Sequence, residues 1–406
     1  MIEINPGDTA WVLGSAALVL FMTPGLAMFY GGMVRAKNIL AMLMMNYIAM
    51  GVVTVLWVAV GASLAFSADV GGVIGNLALW GFRGVGVGNE VFGYSVPDSA
   101  FLAFQLMFAV ITPAVIAGAA AERMKFSAWL LFVLAWSLLV YAPLAHWVWG
   151  GGFLGKTLGA LDFAGGLVVE INSGASALAL VLVLGRRRGW PQQLIRPHNL
   201  PFTIFGAGVL WFGWFGFNAG SALASNGIAS QAFLTTHVAA AVAACVWIAA
   251  EVFTTGKPTT LGFASGAVAG LVAITPAAGF VSVGGALVIG VAAGAVCYWA
   301  LRLKTRFRFD DSLDVVAVHM VGGIVGTLLL GLLADHAINE AGAGGLDQLG
   351  RQAVAVLIAL GWAFGCSLLI ALGLDRAMGG IRVAPQHEFE GLDLHLHEEQ
   401  AYIFDE

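Results

Sequence analysis

Charged residues punctuate the chain and separate long apolar runs. A helix that crosses a bilayer needs about 20 predominantly apolar residues. Seven runs of this kind are delimited individually by charges or turns, at about 9–34, 38–68, 99–121, 126–149, 161–185, 315–334 and 352–374. Two longer charge-free stretches, 197–250 and 258–301, are each long enough for two helices. The pattern therefore predicts eleven transmembrane helices.

The composition agrees with this pattern and excludes a soluble class. Of 406 residues, 60% are hydrophobic and 10% are charged, and the mean hydropathy is +0.90. A soluble domain carries roughly 25% charged residues, so this chain cannot cover a water-facing surface. Its 55 glycines suggest closely packed helices. The net charge of -5 implies no nucleic-acid partner. We predict an all-α polytopic membrane protein embedded in a lipid bilayer.

An odd number of spans places the two termini on opposite sides of the membrane. All of the 18 Lys and Arg residues lie on one side of this topology, except Arg83, Lys156 and Arg351. Because basic residues concentrate in cytoplasmic loops, we expect the N-terminus outside and the C-terminus in the cytoplasm. The chain then divides into a membrane domain, 1–376, and a cytoplasmic tail, 377–406.

The cysteines and the outlying histidines suggest neither a metal site nor a cofactor. Three scattered cysteines are expected to be small buried hydrophobes: Cys245, Cys297 and Cys366. Three histidines near predicted span ends are expected to be interfacial: His146, His198 and His237. A metal-binding interpretation is disfavoured for the tail histidines, His387, His395 and His397. No nucleophile–base pair lies on a predicted accessible loop, which argues against an enzyme.

Two segments five predicted helices apart resemble each other. In each, an Asp is followed eight positions later by an ionisable residue and four positions after that by a Gly: Asp162, Glu170 and Gly174, then Asp311, His319 and Gly323. Helices five apart cross the membrane in opposite directions. The sequence therefore predicts inverted five-helix repeats plus a final helix.

The two ionisable residues are predicted to lie at matched depth. If its helix begins at 161, Glu170 lies nine residues in, or roughly 14 Å at 1.5 Å per residue. His319 approaches from the other face and lies roughly 10 Å in from 312. In an apolar core about 30 Å thick, both are close to the midplane. Such residues normally face a pathway or a partner; the alternative is a pair that only ties two helices together.

Several motifs along the chain together carry a family resemblance. They are TPGLAMFYGGMVRAKN from Thr23, FQLMFAVITPAVIAGAAAERMKFSAW from Phe104, AHWVWGGG from Ala145, LDFAGGLVVEINSGASAL from Leu161, PHNLPF from Pro197, GWFGFNAGSA from Gly213 and LDVVAVHMVGGIVGTLLLG from Leu313. With these motifs the chain resembles the ammonium transporter (Amt/Mep/Rh) family, on its Amt/Mep side, over nearly its whole length.

The resemblance implies a homotrimer in a bacterial cytoplasmic membrane, with one substrate path through each subunit. It maps the substrate-binding residues of an outer recruitment site onto Phe108, Trp149, Ser221 and, one turn above Phe108, Phe104. It implies a pore gate formed by Phe108 and Phe217, with Trp214 lining the path nearby.

The resemblance also assigns the central pair, with one departure. His319 matches the second histidine of the family's pair, whereas Glu170 stands at the first, where some fungal members also carry an acid. Asp162 matches a structural acid near the entrance. It can be a substrate ligand or a helix cap, and its position at a predicted helix start favours the cap.

These expectations combine into an ammonium transport mechanism. Aromatic faces attract a cation, and the Ser221 hydroxyl can accept a hydrogen bond from an N–H. Capture, deprotonation, passage of ammonia through an apolar pore and proton relay by Glu170 and His319 would follow. If the proton moves along that pair, transport carries net charge. An ammonium sensor acting through a separate partner, and a neutral ammonia channel of the Rh type, are the alternatives.

The tail resembles the family segment that packs under the trimer and helps to bind PII-type regulators. Glu398 replaces a residue that is usually Gly there, so a need for glycine's backbone freedom makes coupling to a regulator less certain. An ordinary solvated tail is the alternative.

Overall fold

The computed structural model describes residues 2–192 and 195–402. Its α-helices are α1 Pro6–Met33, α2 Ile39–Leu56, α3 Ala62–Phe66, α4 Asp98–Ala120, α5 Phe126–Trp136, α6 Ala142–Val148, α7 Phe153–Lys156, α8 Asn172–Leu184, α9 Leu200–Gly220, α10 Gly227–Thr255, α11 Thr260–Ile274, α12 Val283–Arg306, α13 Val321–Leu333, α14 Leu346–Ala377, α15 Pro385–Glu390 and α16 Leu392–His397. Four π-helical segments are Trp57–Gly61, Ser137–Tyr141, Gly166–Ile171 and Val316–Met320. Two 3-10 turns are Ala36–Asn38 and Trp80–Phe82.

The all-helical membrane class predicted from the sequence is confirmed. Among the described residues, ten helical segments are long and apolar enough to cross a membrane, and α11 is apolar but only 15 residues long. A short antiparallel hairpin, β1 Asp69–Val70 with β2 Ile74–Gly75, is a small departure from the all-α prediction. The turn near 221–226 divides α9 from α10 as predicted.

Helix α14 begins earlier than hydropathy predicts, at Leu346 instead of 352. Its first turns carry Asp347 and Arg351, which form an exposed ion pair of 2.8 Å. Charged residues at a helix end do not stop the backbone ladder, and an i,i+4 pair of opposite sign supports it. An apolar-run boundary therefore underestimates the helix.

The span that carries Glu170 begins later than predicted. The segment at 161–165 is irregular, because Phe163 N–H donates to Pro276 O and Gly165 adopts a φ of 126°. The helix starts with the π-segment at Gly166, so Glu170 is four residues inside it, about 6 Å, and not nine. The predicted start at 161 is wrong, and the membrane depth calculated from it has no support.

Helices α1 and α9 are antiparallel and pack in close contact. Trp11 Nε1 donates to Ala219 O at one end, and Asn199 N–H donates to Gly32 O at the other. A Cβ added at Gly206 on α9 would lie 2.3 Å from Phe29 N, so the two backbones meet where a side chain cannot fit. Small residues permit such an approach between membrane helices.

Three residues differ in exposure from their predictions. His146 is fully buried, not interfacial, since its ring nitrogens bond Ala65 O and the Asp69 carboxylate, each at 2.9 Å. His237 is exposed ten residues into α10, about 15 Å from the helix start, and not at a helix end. Cys245 is exposed on the same helix, whereas a buried position was expected. The hydrophobic periodicity gives no signal for the burial of His146, because its partners lie in α3 and β1, which are distant in sequence.

The C-terminal segment folds back onto the helix bundle. The Asp393 carboxylate accepts from Leu40 N–H and Ala41 N–H at 3.0 and 2.8 Å, at the start of α2. The Glu388 carboxylate accepts from Arg188 N–H and from the Arg382 guanidinium, both at 2.7 Å. These contacts fix the segment against loops at one end of the bundle.

A buried ion network lies beneath this segment. Glu122 pairs with Arg35 and Arg187, each at 2.9 Å, and Arg187 also pairs with Asp310 at 2.8 Å. Burial opposes the ionisation of Glu122, but the two arginines outweigh it and hold its pKa at about 2. The network joins loops that are distant in sequence at the end of the bundle where the tail docks.

The packing of α9 on α1 can be tested with a matched pair of glycines. Gly206→Ala should lower the free energy of unfolding by about 1–3 kcal/mol, the usual cost of overpacking. Gly51→Ala on α2 meets open space and should stabilise slightly through helix propensity. Thermal unfolding in detergent measures both. Equal shifts in the two variants would contradict the close approach.

Candidate functional site

An aromatic cavity opens at the end of the bundle opposite the tail. Its volume is about 280 Å³, and its lining residues are Phe66, Tyr94, Phe101, Gln105, Phe108, Val148, Trp149, Phe163, Ser221 and Leu223. We call it the aromatic cavity. Three of the predicted recruitment residues, Phe108, Trp149 and Ser221, therefore meet there from α4, the end of α6 and the end of α9.

Trp149 and Ser221 are each fixed by a single hydrogen bond. Trp149 Nε1 donates to Asp162 O at 2.9 Å, which anchors the indole beside the cavity. Ser221 Oγ donates its proton to Phe217 O at 2.8 Å, one helical turn back. The hydroxyl oxygen therefore keeps lone pairs to accept from a ligand.

The aromatic cavity ends at two phenyl rings. Phe108 lines it, and the ring centroid of Phe217 lies 4.4 Å from that of Phe108. Both side chains are buried, at 1% exposure each. The predicted gate residues are thus in contact and close the cavity toward the bundle interior.

Phe104 departs from its predicted place. It does not line the aromatic cavity; it is fully buried and packs edge-on against Phe108, with centroids 4.9 Å apart. One turn along a helix brings a residue close to its neighbour without placing it on the same cavity wall. Phe104 therefore packs against Phe108, and the structure does not place it on the cavity wall with the other predicted substrate-binding residues.

A second, buried cavity lies beyond the two rings. It has a volume of about 10 Å³, about the space for one water-sized molecule. Its lining residues are Met22, Leu26, Phe29, Ile111, Val115, Val169, Glu170, Leu210, Trp214, Phe217, Val268 and His319. Trp214 is held there by an Nε1–H bond to Thr275 Oγ1 of 2.8 Å. Apart from the indole N–H, Glu170 and His319 are the polar groups of this apolar lining.

Glu170 and His319 contact each other directly. Glu170 Oε2 lies 2.7 Å from His319 Nδ1, and the two residues are 1% and 4% exposed. Each is on a π-helical segment, Gly166–Ile171 or Val316–Met320, at the start of its span. Widened turns of this kind are frequent at functional sites.

Two glycines bring the segments together in a reciprocal way. A Cβ at Gly174 would lie 2.4 Å from Met320 N, next to His319. A Cβ at Gly323 would lie 2.9 Å from the Cβ of Glu170. The Gly that follows each ionisable residue by four positions therefore makes room for the partner segment.

Two aspartate side chains accept hydrogen bonds from backbone N–H groups at the starts of these segments. The Asp162 carboxylate accepts from four backbone N–H groups, those of Gly165, Gly166, Leu167 and Val168, at 2.6–3.3 Å. Asp311 Oδ2 accepts from Val316 N–H at 2.7 Å. An acid at a helix start satisfies otherwise unpaired donors and the helix dipole. Asp162 has the geometry of a helix cap.

Comparison with known proteins agrees with this architecture. A family model described as Ammonium Transporter Family matches residues 10–402. This chain belongs to the ammonium transporter family. An ammonium transporter of Mycobacterium tuberculosis (strain H37Rv) is 51% identical to this chain in an alignment 432 positions long, gaps included. The alignment covers 98% of this chain and 90% of that protein.

Solved structures of the family share the fold. The crystal structure of Saccharomyces cerevisiae Mep2 superposes with a TM-score of 0.87 at 36% identity and covers 92% of this chain and 86% of that one. A structure described as a sensor Amt protein has a TM-score of 0.89 at 29% identity and covers 96% of this chain and 98% of that one. A protein described as a sensor therefore shares this fold with Mep2 and with the chain described here.

Sequence reasoning missed part of the aromatic cavity. Tyr94 comes from the long loop before α4, and Phe101 and Gln105 precede Phe108 on the same helix. Gln105 carried a usable signal, because an amide inside an apolar membrane helix normally faces a partner or a pathway. Tyr94 carried none, since a loop residue's position depends on the loop's fold.

Removal of the Asp162 cap should be costly. Each buried N–H left without an acceptor costs about 1–3 kcal/mol, so Asp162→Ala should lower the unfolding temperature by several degrees. Asp98→Ala is the matched control, since buried Asp98 accepts from only two backbone N–H groups. A larger loss in the control, measured by thermal unfolding, would contradict the cap assignment.

Proposed function

We propose that this protein transports ammonium across the cell membrane. One observation carries the proposal: three features follow one another into the bundle. They are the aromatic cavity, the two phenyl rings in contact at its end, and the buried Glu–His pair beyond these rings. The family to which the chain belongs supports the same substrate. The mechanism has three steps: cation capture, passage of ammonia, and proton relay.

Capture takes place in the aromatic cavity. The rings of Phe108 and Trp149, whose centroids are 6.0 Å apart, present aromatic surface that attracts a cation. Ser221 Oγ accepts one N–H of the ion. Potassium is of similar size but has no N–H to donate, so this acceptor discriminates by chemistry and not by size.

Passage requires loss of a proton. Phe108 and Phe217 leave no aqueous route between the cavities, and a bare ion in an apolar medium is strongly disfavoured. Ammonia is neutral and small enough to pass when the rings move apart. The ion therefore gives up its proton as the rings move apart: the proton passes to the Glu170–His319 pair, which releases its own proton on the far side, and ammonia crosses as the neutral molecule.

Glu170 and His319 are the proposed proton relay. With one proton the pair is net neutral, either as an ion pair or as two neutral groups. Burial opposes net charge, so the singly protonated pair is the resting form. The two groups titrate as one coupled unit. Movement of the proton along this pair makes transport electrogenic.

The architecture of the transporter follows the topology predicted from the sequence. We infer eleven spans, with α11 as the short one, the N-terminus outside and the tail in the cytoplasm. The reciprocal glycine contacts and the paired aspartates support inverted five-helix repeats followed by α14. The membrane domain, 1–376, and the tail, 377–406, are the proposed domains.

A homotrimer in the bacterial cytoplasmic membrane is the proposed assembly. Exposed aromatic residues cover the outward faces of α9 and α10, including Phe205, Phe212 and Phe233. His237 is exposed among them, packed against Trp211 at 5.4 Å. A titratable side chain in mid-helix is expensive against lipid, so a second subunit is the better neighbour for this face.

The docked tail is the proposed contact for a PII-type regulator. Its short helix α16 ends at His397, and the next residue, Glu398, has a φ of 56°. That left-handed conformation favours Gly, so a glutamate there costs conformational free energy relative to the glycine that is usual in the family.

An ammonium sensor that signals through a separate partner is the second candidate. The likeness to a sensor Amt protein favours it. A neutral ammonia channel is the third. Current recorded from proteoliposomes on an ammonium pulse distinguishes electrogenic transport from the other two candidates, because only electrogenic transport gives sustained charge movement.

The capture step can be tested with a double variant. Trp149→Leu with Ser221→Ala removes a cation–π face and a hydrogen-bond acceptor, roughly 1–2 kcal/mol each. The half-saturating ammonium concentration for current should rise at least about tenfold. Trp299→Leu, at an exposed Trp on α12, is the control. An unchanged half-saturating concentration in the double variant would refute the site.

The relay can be tested at Glu170. Glu170→His restores a two-histidine pair and should remain active with a shifted pH dependence of the current. Glu170→Leu removes one of the two groups that bind the proton and should lose ammonium-driven current or selectivity. If Glu170→Leu kept the wild-type current, pH dependence and selectivity, the residue would be a helix-packing residue only.

A further inference from the structure

Gln105 is a buried polar side chain on the wall of the aromatic cavity. It is 8% exposed, and its Oε1 atom has no hydrogen-bond partner in the described part of the chain. Within the membrane the alternative of bonding to water is scarce, so an unmet carbonyl oxygen costs free energy. An unmet acceptor on a cavity wall indicates a ligand that donates.

The position of Gln105 on α4 points it at the same cavity as the capture residues. Phe101, Gln105 and Phe108 are spaced four and three residues apart, which places them on one helix face. All three line the aromatic cavity. Ser221 lines it from the end of α9, so two polar side chains from different helices line one volume.

Gln105 differs from the other buried polar atoms that lack a partner. Asn46, for example, also has an unpartnered side-chain oxygen, but it lies on α2, and the lining of the aromatic cavity does not include it. Among the described residues that line this cavity, Gln105 supplies the one unpartnered buried atom. Its carboxamide can also turn about its last torsion and present the oxygen to the cavity.

We propose that the Gln105 carboxamide oxygen is a second hydrogen-bond acceptor for the captured ion. The inference rests on the proposed function and deepens its capture step. Ammonium has four N–H donors, and Ser221 satisfies one. A second acceptor on the opposite helix holds the ion between two oxygens and against the aromatic rings, and so determines affinity for a donor-rich cation.

The test is equilibrium binding of ammonium chloride to the purified protein, measured by titration calorimetry. Gln105→Met keeps the side-chain volume but removes the acceptor, so the dissociation constant should rise about tenfold. Gln105→Glu places a stronger acceptor at the same site, so it should lower the dissociation constant. Asn46→Leu, which removes an unpartnered amide oxygen elsewhere, should leave it unchanged.

Two results would overturn the proposal: an unchanged dissociation constant in Gln105→Met, or an equal rise in Gln105→Met and Gln105→Glu. The second would show that the amide serves only to pack α4. Thermal unfolding of each variant establishes that it is folded. Binding is measured without transport, so absence of flux with wild-type binding intact would count against the proposed function and not against this inference.

Discussion

The contact between Glu170 and His319 is the constraint on which the rest of the structure depends. Two ionisable groups are buried side by side, 2.7 Å apart, in an otherwise apolar lining. Burying either group alone in such a place would cost a large free energy. The two spans must therefore bring Glu170 and His319 into contact. Late helix starts, the capping aspartates Asp162 and Asp311, and the absence of a side chain at Gly174 and Gly323 together allow that contact.

The aromatic cavity and the buried cavity differ in volume and in polarity. The first is roomy, at about 280 Å³, and offers aromatic faces and oxygen acceptors, which suit a cation. The second, at about 10 Å³, is almost closed and apolar, which suits a neutral molecule. Phe108 and Phe217 mark the change between them. Under the proposed function, such a sequence of environments would select a substrate that exists both as a cation and as a neutral molecule.

The end of the bundle near the tail is held together by ion pairs. There the charges are many and paired: Glu122 with two arginines, Asp310 with one of them, and Glu388 with Arg382. Buried pairs of this type are costly to break because each partner leaves an uncompensated charge. They hold loops and tail in one arrangement, which keeps a fixed surface available at that face.

The sequence by itself determined the helical membrane class and most of the span boundaries, because hydropathy and charge spacing are local properties of the chain. The repeated spacing of an Asp, an ionisable residue and a Gly, together with the family resemblance, marked Glu170 and His319 as a pair. The sequence did not determine the start of the helix at Gly166, the burial of His146, the place of Phe104 behind Phe108, or the cavity wall at Tyr94 and Gln105. Those depend on which surfaces of distant helices and loops come into contact. Only the tertiary structure decided them, since a hydrogen-bond partner or a cavity is formed by residues that the chain order keeps far apart.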